Sequence, residues 1–451
     1  MSLPHASRRI AKFVRQFEPD DLSGLLSHQV GRAIVDTVGV GIAGRHEPAS
    51  KIMLRYAETL SGQESALAWG TGRRLSLQAS VLYNGVAAHV LDFDDVSSPL
   101  RGHPSIALLP PLLALGQGRH LKVAQVAAAY VVGFEVMVRL ARAMVHDHYA
   151  KGWHATTTLG AIGSAVACSH LLGLDESQIV NSIGLAVAQA GGTRGNFGTM
   201  AKSFQTGQCG SAGMTACLLA QLGMDASEEA LDGDQGFTQL YGNHESLSDC
   251  LSGLGTDPFE LQSSGIEIKK YPMCYAAHRS LDGIFSLLND HSLKVDNIKS
   301  IHVQSNYRAL VPLIHSRPTT GLEAKFSMEY ALCAAVVDGR IGLASFTDEA
   351  VMRPGIQSLM PTVTKAEDTG AQTPRWNTLA VELTTGQTLQ KTVTTLRGSM
   401  QEPLSDQELK AKWDDCLSFG GLSASADEFF EKALGQQDCT VDELMQALPK
   451  N

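Results

Sequence analysis

Long runs of small apolar residues constrain the fold of this chain more than any other feature. Residues 121–145, 159–172 and 210–222 are rich in Ala, Val and Gly, and each run is long enough for several helical turns. Small side chains suit helices that stack closely in one large core, although ordinary alanine-rich helices would give the same pattern. The chain has 451 residues, 44% of them hydrophobic, so it can bury such a core. We therefore predict a large all-helical domain over residues 1–265.

A second region, residues 266–398, has a different pattern. Alternating apolar residues over 298–304 and 379–383 predict strands, and the turn signal after the second strand predicts a β-hairpin. A helical pattern over 280–288 precedes these strands, and another over 327–337 lies between them and ends at an Asp-Gly pair. The region is therefore predicted to be a smaller α+β domain.

Helix returns after this region. Residues 405–408 read Ser-Asp-Gln-Glu, which is the spacing of a capping box at the start of a helix. We expect residues 399–451 to rejoin the helical domain. The predicted fold class is mainly α, with a large all-helical domain and a smaller α+β domain.

Charge, cysteine usage and hydropathy exclude several classes of protein. The net charge of −10 argues against a nucleic-acid partner, which needs a basic surface. The eight cysteines show no CxxC pair and no zinc spacing, so disulfides are not expected and a reducing, cytoplasmic location is favoured. The most apolar stretch, residues 123–138, contains Gln125, Gly133 and Glu135, and we interpret it as a buried core helix too short for a membrane span.

The segment Leu91–Ser105, LDFDDVSSPLRGHPS, carries the strongest signal for chemistry. Three carboxylates stand at its start, and His103 lies between a glycine and a proline that hold its backbone in a turn. Histidine is the side chain that titrates near neutral pH without perturbation, so a fixed histidine beside carboxylates suits acid–base catalysis. Alone, such a segment is more often a capped loop.

Four further segments repeat this combination of cations, aromatics and small residues. They hold His154 after Trp153, Lys202 after a glycine-bearing loop, Lys269 and His278 within KKYPMCYAAH, and Tyr330 after EAKFS.

Taken in order, these five segments resemble the MmgE/PrpD family, from about Ala33 to about Gly398. That family includes 2-methylcitrate dehydratase, cis-aconitate decarboxylase and iminodisuccinate epimerase. The resemblance implies a helical domain completed by the C-terminus, a smaller lid domain over it, and a homodimer. It also implies a small polycarboxylate substrate and removal of a proton from a carbon next to a carboxylate, with no cofactor and no metal.

The resemblance also assigns roles to residues. It implies a catalytic set of His103, His154, Lys202 and Asp92, and a substrate-binding set of Arg101, Lys269, Tyr330 and His278. His103 and His154 are expected to act as base and acid, the cations are expected to bind carboxylates, and Asp94 is an alternative to Asp92.

Residue types do not decide which reaction of the family is catalysed. Val96 stands where the decarboxylase branch has threonine, and the spacing of the motifs is most similar to the iminodisuccinate epimerase branch. We therefore predict an iminodisuccinate-type epimerase, then a dehydratase of a 2-methylcitrate-like acid, then a cis-aconitate-type decarboxylase.

Two other classes compete with these enzymes. A carboxylate-binding protein with the same fold is the non-enzyme alternative. A metal-dependent lyase is disfavoured because no cluster of histidine and carboxylate ligands is evident in the sequence, and no glycine-rich phosphate loop is present.

Overall fold

A computed structural model describes residues 5–18, 22–60, 62–242, 247–291, 293–423, 427–435 and 438–449. The chain divides into two compact units. The first comprises Met1–Ile268 with Leu409–Asn451, and the second comprises Lys269–Glu408. The sequence predicts that the first domain ends at residue 265 and the second at residue 398, whereas the two units divide after Ile268 and after Glu408.

The first unit is built from helices. Up to residue 268 these are α1 (Ala6–Gln16), α2 (Gly24–Ala43), α3 (Pro48–Ala57), α4 (Leu77–His89), α5 (Pro104–Gly118), α6 (Val123–Ala150), α7 (Ala155–Leu171), α8 (Glu176–Val187), α9 (Ala201–Gln221), α10 (Phe237–Tyr241), α11 (Leu247–Ser252) and α12 (Glu260–Ser263). A small antiparallel ribbon joins β1 (Ala66–Ala68) and β2 (Arg73–Leu75).

Glycines allow the central helices to approach closely. A Cβ atom added to Gly85 in α4 would lie 2.6 Å from the Cα atom of Gly207 in α9. A Cβ atom added to Gly213 in α9 would lie 2.7 Å from the Ala161 carbonyl oxygen in α7. Backbone atoms at that distance leave no room for a side chain, so the tight stacking predicted from the small residues is present.

Helix α6 runs through the core of this unit. Its segment Val123–Met144 is long and apolar enough to cross a membrane by length and composition, but 83% of its most apolar window is buried inside the protein. The buried core helix predicted here is present. The reasoning that the stretch is too short was wrong, because the helix continues to Ala150.

The second unit combines short helices with one four-stranded sheet. Its helices are α13 (His278–His291), α14 (Gly321–Ala324), α15 (Met328–Asp338), α16 (Asp348–Val351) and α17 (Pro354–Leu359). Its strands are β3 (Ile298–Ser305), β4 (Val363–Glu367), β5 (Asn377–Leu383) and β6 (Thr388–Val393), in the spatial order β4-β3-β5-β6. Strand β4 pairs parallel with β3, and the other pairs are antiparallel.

The chain then returns to helix with α18 (Asp406–Phe419), α19 (Asp427–Gly435) and α20 (Val441–Gln446). The predicted capping box is present, since Ser405 and Glu408 exchange side-chain hydrogen bonds with each other's backbone N–H groups. Lys412 of α18 belongs to the first unit, and its Nζ atom lies 2.5 Å from Asp36 and donates to the Phe93 carbonyl at 2.8 Å. The predicted fold class, mainly α with a small α+β part, is confirmed.

Candidate active site

The loop between α4 and α5 carries the acidic cluster. His89 is the last residue of α4, and His103 occupies the N-cap position of α5. Asp92 between them has φ +52°, in the left-handed region that Asp tolerates better than most residues. Non-glycine residues with a left-handed backbone concentrate at functional sites, so the conformation of Asp92 indicates that this loop is part of one.

The His103 ring has a defined proton position. Its Nδ1 atom lies 2.9 Å from the Asp95 backbone carbonyl oxygen and 3.2 Å from the Asp94 carboxylate. A carbonyl oxygen only accepts hydrogen bonds, so Nδ1 carries a proton, and Nε2 is the nitrogen that has a lone pair whenever the ring is neutral. Nε2 lies 3.8 Å from the Asp92 carboxylate, and the side chain is 12% exposed. His103 therefore presents a base on the partly open side of the cluster.

Asp92 and Lys202 form an ion pair next to this base. Lys202 lies in the first turn of α9, and its Nζ atom donates to Asp92 Oδ1 at 2.7 Å. Both side chains keep a small exposed fraction, 15% for Asp92 and 18% for Lys202. The pair places a cation within reach of a molecule that binds beside His103.

Asp94 differs from Asp92 in burial and in partners. Asp94 is fully buried and accepts hydrogen bonds from the Nδ1 atoms of His103 and of His89, which lies 2.8 Å away. Burial alone would raise the pKa of Asp94, but the interactions of the carboxylate with the two histidine rings outweigh burial and hold the pKa well below its usual range. Asp94 is therefore an internal carboxylate, and Asp92 is the acid that can meet a ligand.

Sequence reasoning missed His89. The signal was available, because a histidine in the apolar run Gly85–Leu91 must find a buried polar partner. That partner is Asp94, five residues along the chain. Burial, opposed by the charge of Asp94, lowers the pKa of His89 to about 4, so the ring is neutral near pH 7.

Asp95 belongs to the scaffold of the loop. It accepts hydrogen bonds from the hydroxyl and the backbone N–H of Ser105, and the Ser105 hydroxyl lies 2.7 Å from that of Tyr130. Burial, then the charge of Asp36, raises the pKa of Asp95 well above its usual range. These bonds fix the start of α5 and thereby the backbone of His103.

His154 occupies the N-cap position of α7. Its Nδ1 atom donates to the Gln205 side-chain oxygen at 2.8 Å, and its ring meets the Phe197 ring edge-on at 4.9 Å between centroids. Burial, then the charge of His89, lowers the pKa of His154 well below its usual value. The resting form is neutral, so a role as the acid requires that His154 first receive a proton.

The first threonine after His154 connects two helices. No side chain caps α7 at its N-cap residue. Thr156 Oγ1 instead accepts the His103 backbone N–H at 3.1 Å, which joins the starts of α5 and α7. A Cβ atom added to Gly102 would lie 2.6 Å from Thr156 Oγ1, so this close approach requires glycine.

Three helix N-termini meet at the cluster. They belong to α5 at His103, α7 at His154 and α9 at Lys202, and the side-chain contacts above connect them. Helix N-termini carry unpaired N–H groups and partial positive charge, which favour bound anions. The site is therefore electrostatically suited to a carboxylate, although the whole chain is acidic.

Arg101 lies on the exposed edge of the same loop with φ +51°. Its guanidinium is 5.7 Å from the centroid of the Tyr149 ring, and Arg194 stacks on that ring at 3.9 Å. Two cations thus flank Tyr149 in the first unit. The carboxylate-binding role of Arg101 stays a prediction.

The other three predicted substrate-binding residues lie in the second unit, and each is almost fully buried there. Lys269 is 1% exposed. His278 Nε2 lies 3.3 Å from the Met273 carbonyl oxygen. The Tyr330 hydroxyl donates to the Ser345 carbonyl, and burial raises the pKa of Tyr330 to about 12. Their roles in substrate binding stay predictions.

The structure contains a cluster of possible metal ligands that the sequence analysis did not find. His89, Asp94 and His103 bring possible ligand atoms within 4.8 Å of one another, so the view that no such cluster exists was wrong. The hydrogen bonds argue against a metal there, because His103 Nδ1 is protonated towards the Asp95 carbonyl and cannot also coordinate an ion. The residues fit a hydrogen-bonded relay better than a metal centre.

Comparison with known proteins adds an independent line of evidence. Residues 8–249 match the model of the MmgE/PrpD N-terminal domain, and residues 271–434 match that of the MmgE/PrpD C-terminal domain. Cis-aconitate decarboxylase of Mus musculus is 28% identical over 439 residues, covering 92% of this chain and 87% of the relative. The Homo sapiens enzyme of that name is 29% identical over 433 residues, covering 92% and 88%.

A third relative is the cis-aconitate decarboxylase-like protein oryM of Aspergillus oryzae. It is 24% identical over 436 residues, covering 91% of this chain and 90% of the relative. These names agree with the decarboxylase alternative among the predicted reactions. They lend no support to the iminodisuccinate epimerase ranked first from the sequence.

Proposed function

Because this chain belongs to the MmgE/PrpD family of enzymes, we propose that it moves a proton at a carbon next to a carboxylate of a small di- or tricarboxylate, without a metal. The geometry of His103 carries this proposal. Its proton is held on Nδ1 by Asp95 and Asp94, and its Nε2 lone pair faces the Asp92–Lys202 pair. A base fixed in this way is suited to take or return one proton.

The charges around His103 support an anionic substrate. Three helix N-termini and the Lys202 ammonium favour an anion, and Arg101 adds a cation at the edge of the loop. A carbanion next to a carboxylate spreads its charge onto the carboxylate oxygens. Preorganised donors stabilise that charge more as it develops than in the bound substrate.

The proton step conserves atoms and charge. When His103 Nε2 takes the proton, the C–H bond breaks and its electron pair moves onto the adjacent carboxylate. Return of a proton to the opposite face gives an epimer. In a dehydration the electron pair forms the C=C bond, and the β-hydroxyl leaves as water after it takes up a proton from a protonated histidine of the site. In a decarboxylation the C–C bond breaks first, carbon dioxide leaves, and protonated His103 gives its proton to the carbon.

Among these reactions we propose a lyase acting on a cis-aconitate-like tricarboxylate as the first to test. The names of the relatives support it, and Val96 at the position of the decarboxylase threonine argues against it. Epimerisation is the second candidate. Its support is the presence of a second histidine, His154, beside the cluster: once His154 has received a proton, it can return one to the carbon after His103 has taken one.

One experiment separates these reactions. The protein is incubated in deuterated water with cis-aconitate, 2-methylcitrate or iminodisuccinate in turn, and the products are followed by NMR. We expect carbon dioxide and a decarboxylated product from cis-aconitate, lost in His103→Ala. An alkene from methylcitrate or deuterium at a stereocentre of iminodisuccinate would identify the other reactions. No turnover of any substrate would reject the proposal.

A metal requirement is tested on the same samples. Treatment with a chelator, followed by removal of the chelator, is expected to leave turnover unchanged. Loss of turnover that zinc or magnesium restores would reject the metal-independent mechanism and would favour coordination at His89, Asp94 and His103.

A further inference from the structure

We propose that His89 is a positioning residue that holds Asp94 against His103 and thereby keeps the His103 proton on Nδ1. This inference rests on the proposed function of His103 as the base. It assigns a role to a residue that touches neither the exposed side of the site nor a substrate, and it treats His89, Asp94 and His103 as one unit, here called the His–Asp–His relay.

The contacts of the relay define the direction of its hydrogen bonds. Asp94 Oδ2 lies 2.8 Å from His89 Nδ1 and 3.2 Å from His103 Nδ1. An ionised carboxylate accepts only, so both rings donate to the same oxygen. The two rings pack edge to face with centroids 4.7 Å apart, which fixes their mutual orientation.

Burial shows why Asp94 needs His89. The side chains of Asp94 and His89 are both fully buried, and Asp94 Oδ1 has no hydrogen-bond partner among the described residues. A buried carboxylate with a single donor would favour taking up a proton or turning away. The second donor, His89, keeps Asp94 ionised and in place beside His103.

The environment of His89 supports the same assignment. His89 Nε2 has no hydrogen-bond partner within the described part of the chain, so Asp94 is the polar group that compensates the burial of this ring. Its neighbours His103 and His154 lie on other helices, with ring centroids at 4.7 and 6.4 Å. A neutral ring at this place can donate to Asp94 without adding a positive charge next to His103.

Loss of His89 would change the balance between the two tautomers of His103. With Asp94 ionised and fixed, the proton on Nδ1 has two acceptors, Asp94 and the Asp95 carbonyl. Without His89, the stronger of these acceptors is weakened, and a fraction of His103 rings can move the proton to Nε2. A ring protonated at Nε2 has lost the lone pair that the proposed reaction uses.

Three substitutions of His89 separate this role from a purely structural one. His89→Asn keeps a donor near the position of Nδ1, His89→Gln moves the donor towards the position of Nε2, and His89→Leu removes it. His170→Leu is the matched control, because His170 is a mostly buried histidine at the other end of α7 that bonds to the Val14 carbonyl. Thermal unfolding of all variants reports stability.

The first readout is the tautomer of His103, from long-range proton–nitrogen correlation spectra of histidine-labelled protein, with the resonance assigned by its absence in His103→Ala. We expect the Nδ1 tautomer in the wild type, His89→Asn and His170→Leu, and a mixture in His89→Gln and His89→Leu. An unchanged Nδ1 tautomer in His89→Leu would overturn the proposal. If His89→Leu does not fold, the tautomers of His103 in His89→Asn and His89→Gln are compared instead, and the same Nδ1 tautomer in both would overturn the proposal.

The second readout is turnover. We expect kcat to fall about 10- to 100-fold in His89→Leu and His89→Gln with KM nearly unchanged, and to be largely retained in His89→Asn, because a wrong tautomer removes the base and not the binding site. Equal losses in all three His89 variants would overturn the proposal. Normal turnover in His103→Ala would instead reject the proposed function, and the spectra would still decide what His89 does to the His103 ring.

Discussion

The two units of this protein use their buried polar residues differently. In the first unit, Asp92, His103 and Lys202 contact one another and each keeps between 12% and 18% of its side chain exposed. In the second unit, His278 and Tyr330 are fully buried, and each has a hydrogen bond with a carbonyl oxygen of the same unit. A polar cluster that stays partly open is suited to chemistry, whereas fully buried polar groups first serve the packing of their own unit.

The largest effect that tests this difference is expected at His103. His103→Ala should lower kcat by about a hundredfold or more, because it removes the positioned base. The variant should remain folded, with a modest drop in melting temperature because the buried Asp94 loses one of its two donors. Steady-state kinetics and a thermal scan check both points, and near-normal turnover on a demonstrated substrate would remove His103 from the mechanism.

A smaller effect is expected at Lys202. Lys202→Ala removes a cation that pairs with Asp92 at 2.7 Å and faces the anion site. A charge-assisted contact is worth about 1.5–3 kcal/mol, so kcat/KM for a polycarboxylate should fall roughly 10- to 150-fold. Lys151→Ala is the control, because Lys151 is an exposed lysine of the same unit. Equal kinetics of the two variants would make Lys202 an ordinary surface lysine.

Lys269 tests whether a residue of the second unit takes part in substrate capture. Lys269→Ala is expected to raise KM about tenfold through loss of a charge-assisted contact, with little change in kcat. Its neighbour Lys270, which is only partly buried, supplies the control Lys270→Ala. A wild-type KM in Lys269→Ala would confine the anion-binding cations to the first unit.

The smallest effect is expected at Tyr330. Tyr330→Phe removes the hydrogen bond to the Ser345 carbonyl and should cost about 0.5–1.5 kcal/mol in the free energy of unfolding. Kinetics should remain close to wild type, because the hydroxyl is already committed within its unit. Urea unfolding and a KM measurement show whether the hydroxyl serves stability or substrate binding. A raised KM at unchanged stability would support the substrate-binding role predicted for Tyr330.

Local signals in the sequence predicted much of the fold. The hairpin of β5 and β6 and the end of α15 at Gly339, which has φ +66°, depend on neighbouring residues that a sequence displays directly. Strand β4 was missed because it pairs in parallel with a strand about sixty residues away, and such pairing leaves little local pattern. Helix α9 begins at Ala201, earlier than the predicted residue 210. The prediction missed its first turns because they carry polar residues of the site instead of the small apolar residues on which the prediction was based.

The residues of the candidate site were predicted from the sequence only in part. The resemblance to the MmgE/PrpD family gave His103, His154, Lys202 and Asp92 as candidates, and the structure brings these residues into one cluster. The sequence did not separate Asp92 from Asp94, because only burial makes one an internal carboxylate and the other a possible ligand contact. The neutral state of His154 depends on its packing and on His89, which no spacing reveals.

The reach of Lys412 to Phe93 also has a consequence for how the molecule is made. Lys412 follows Phe93 by 319 residues, so at about 5–20 residues per second a ribosome adds it roughly 15–65 s later. Until then Asp36 lacks its cation, and the loop that carries Asp92 lacks one of its anchors. A nascent chain therefore contains every residue of the candidate site well before Lys412 can anchor the loop that carries Asp92.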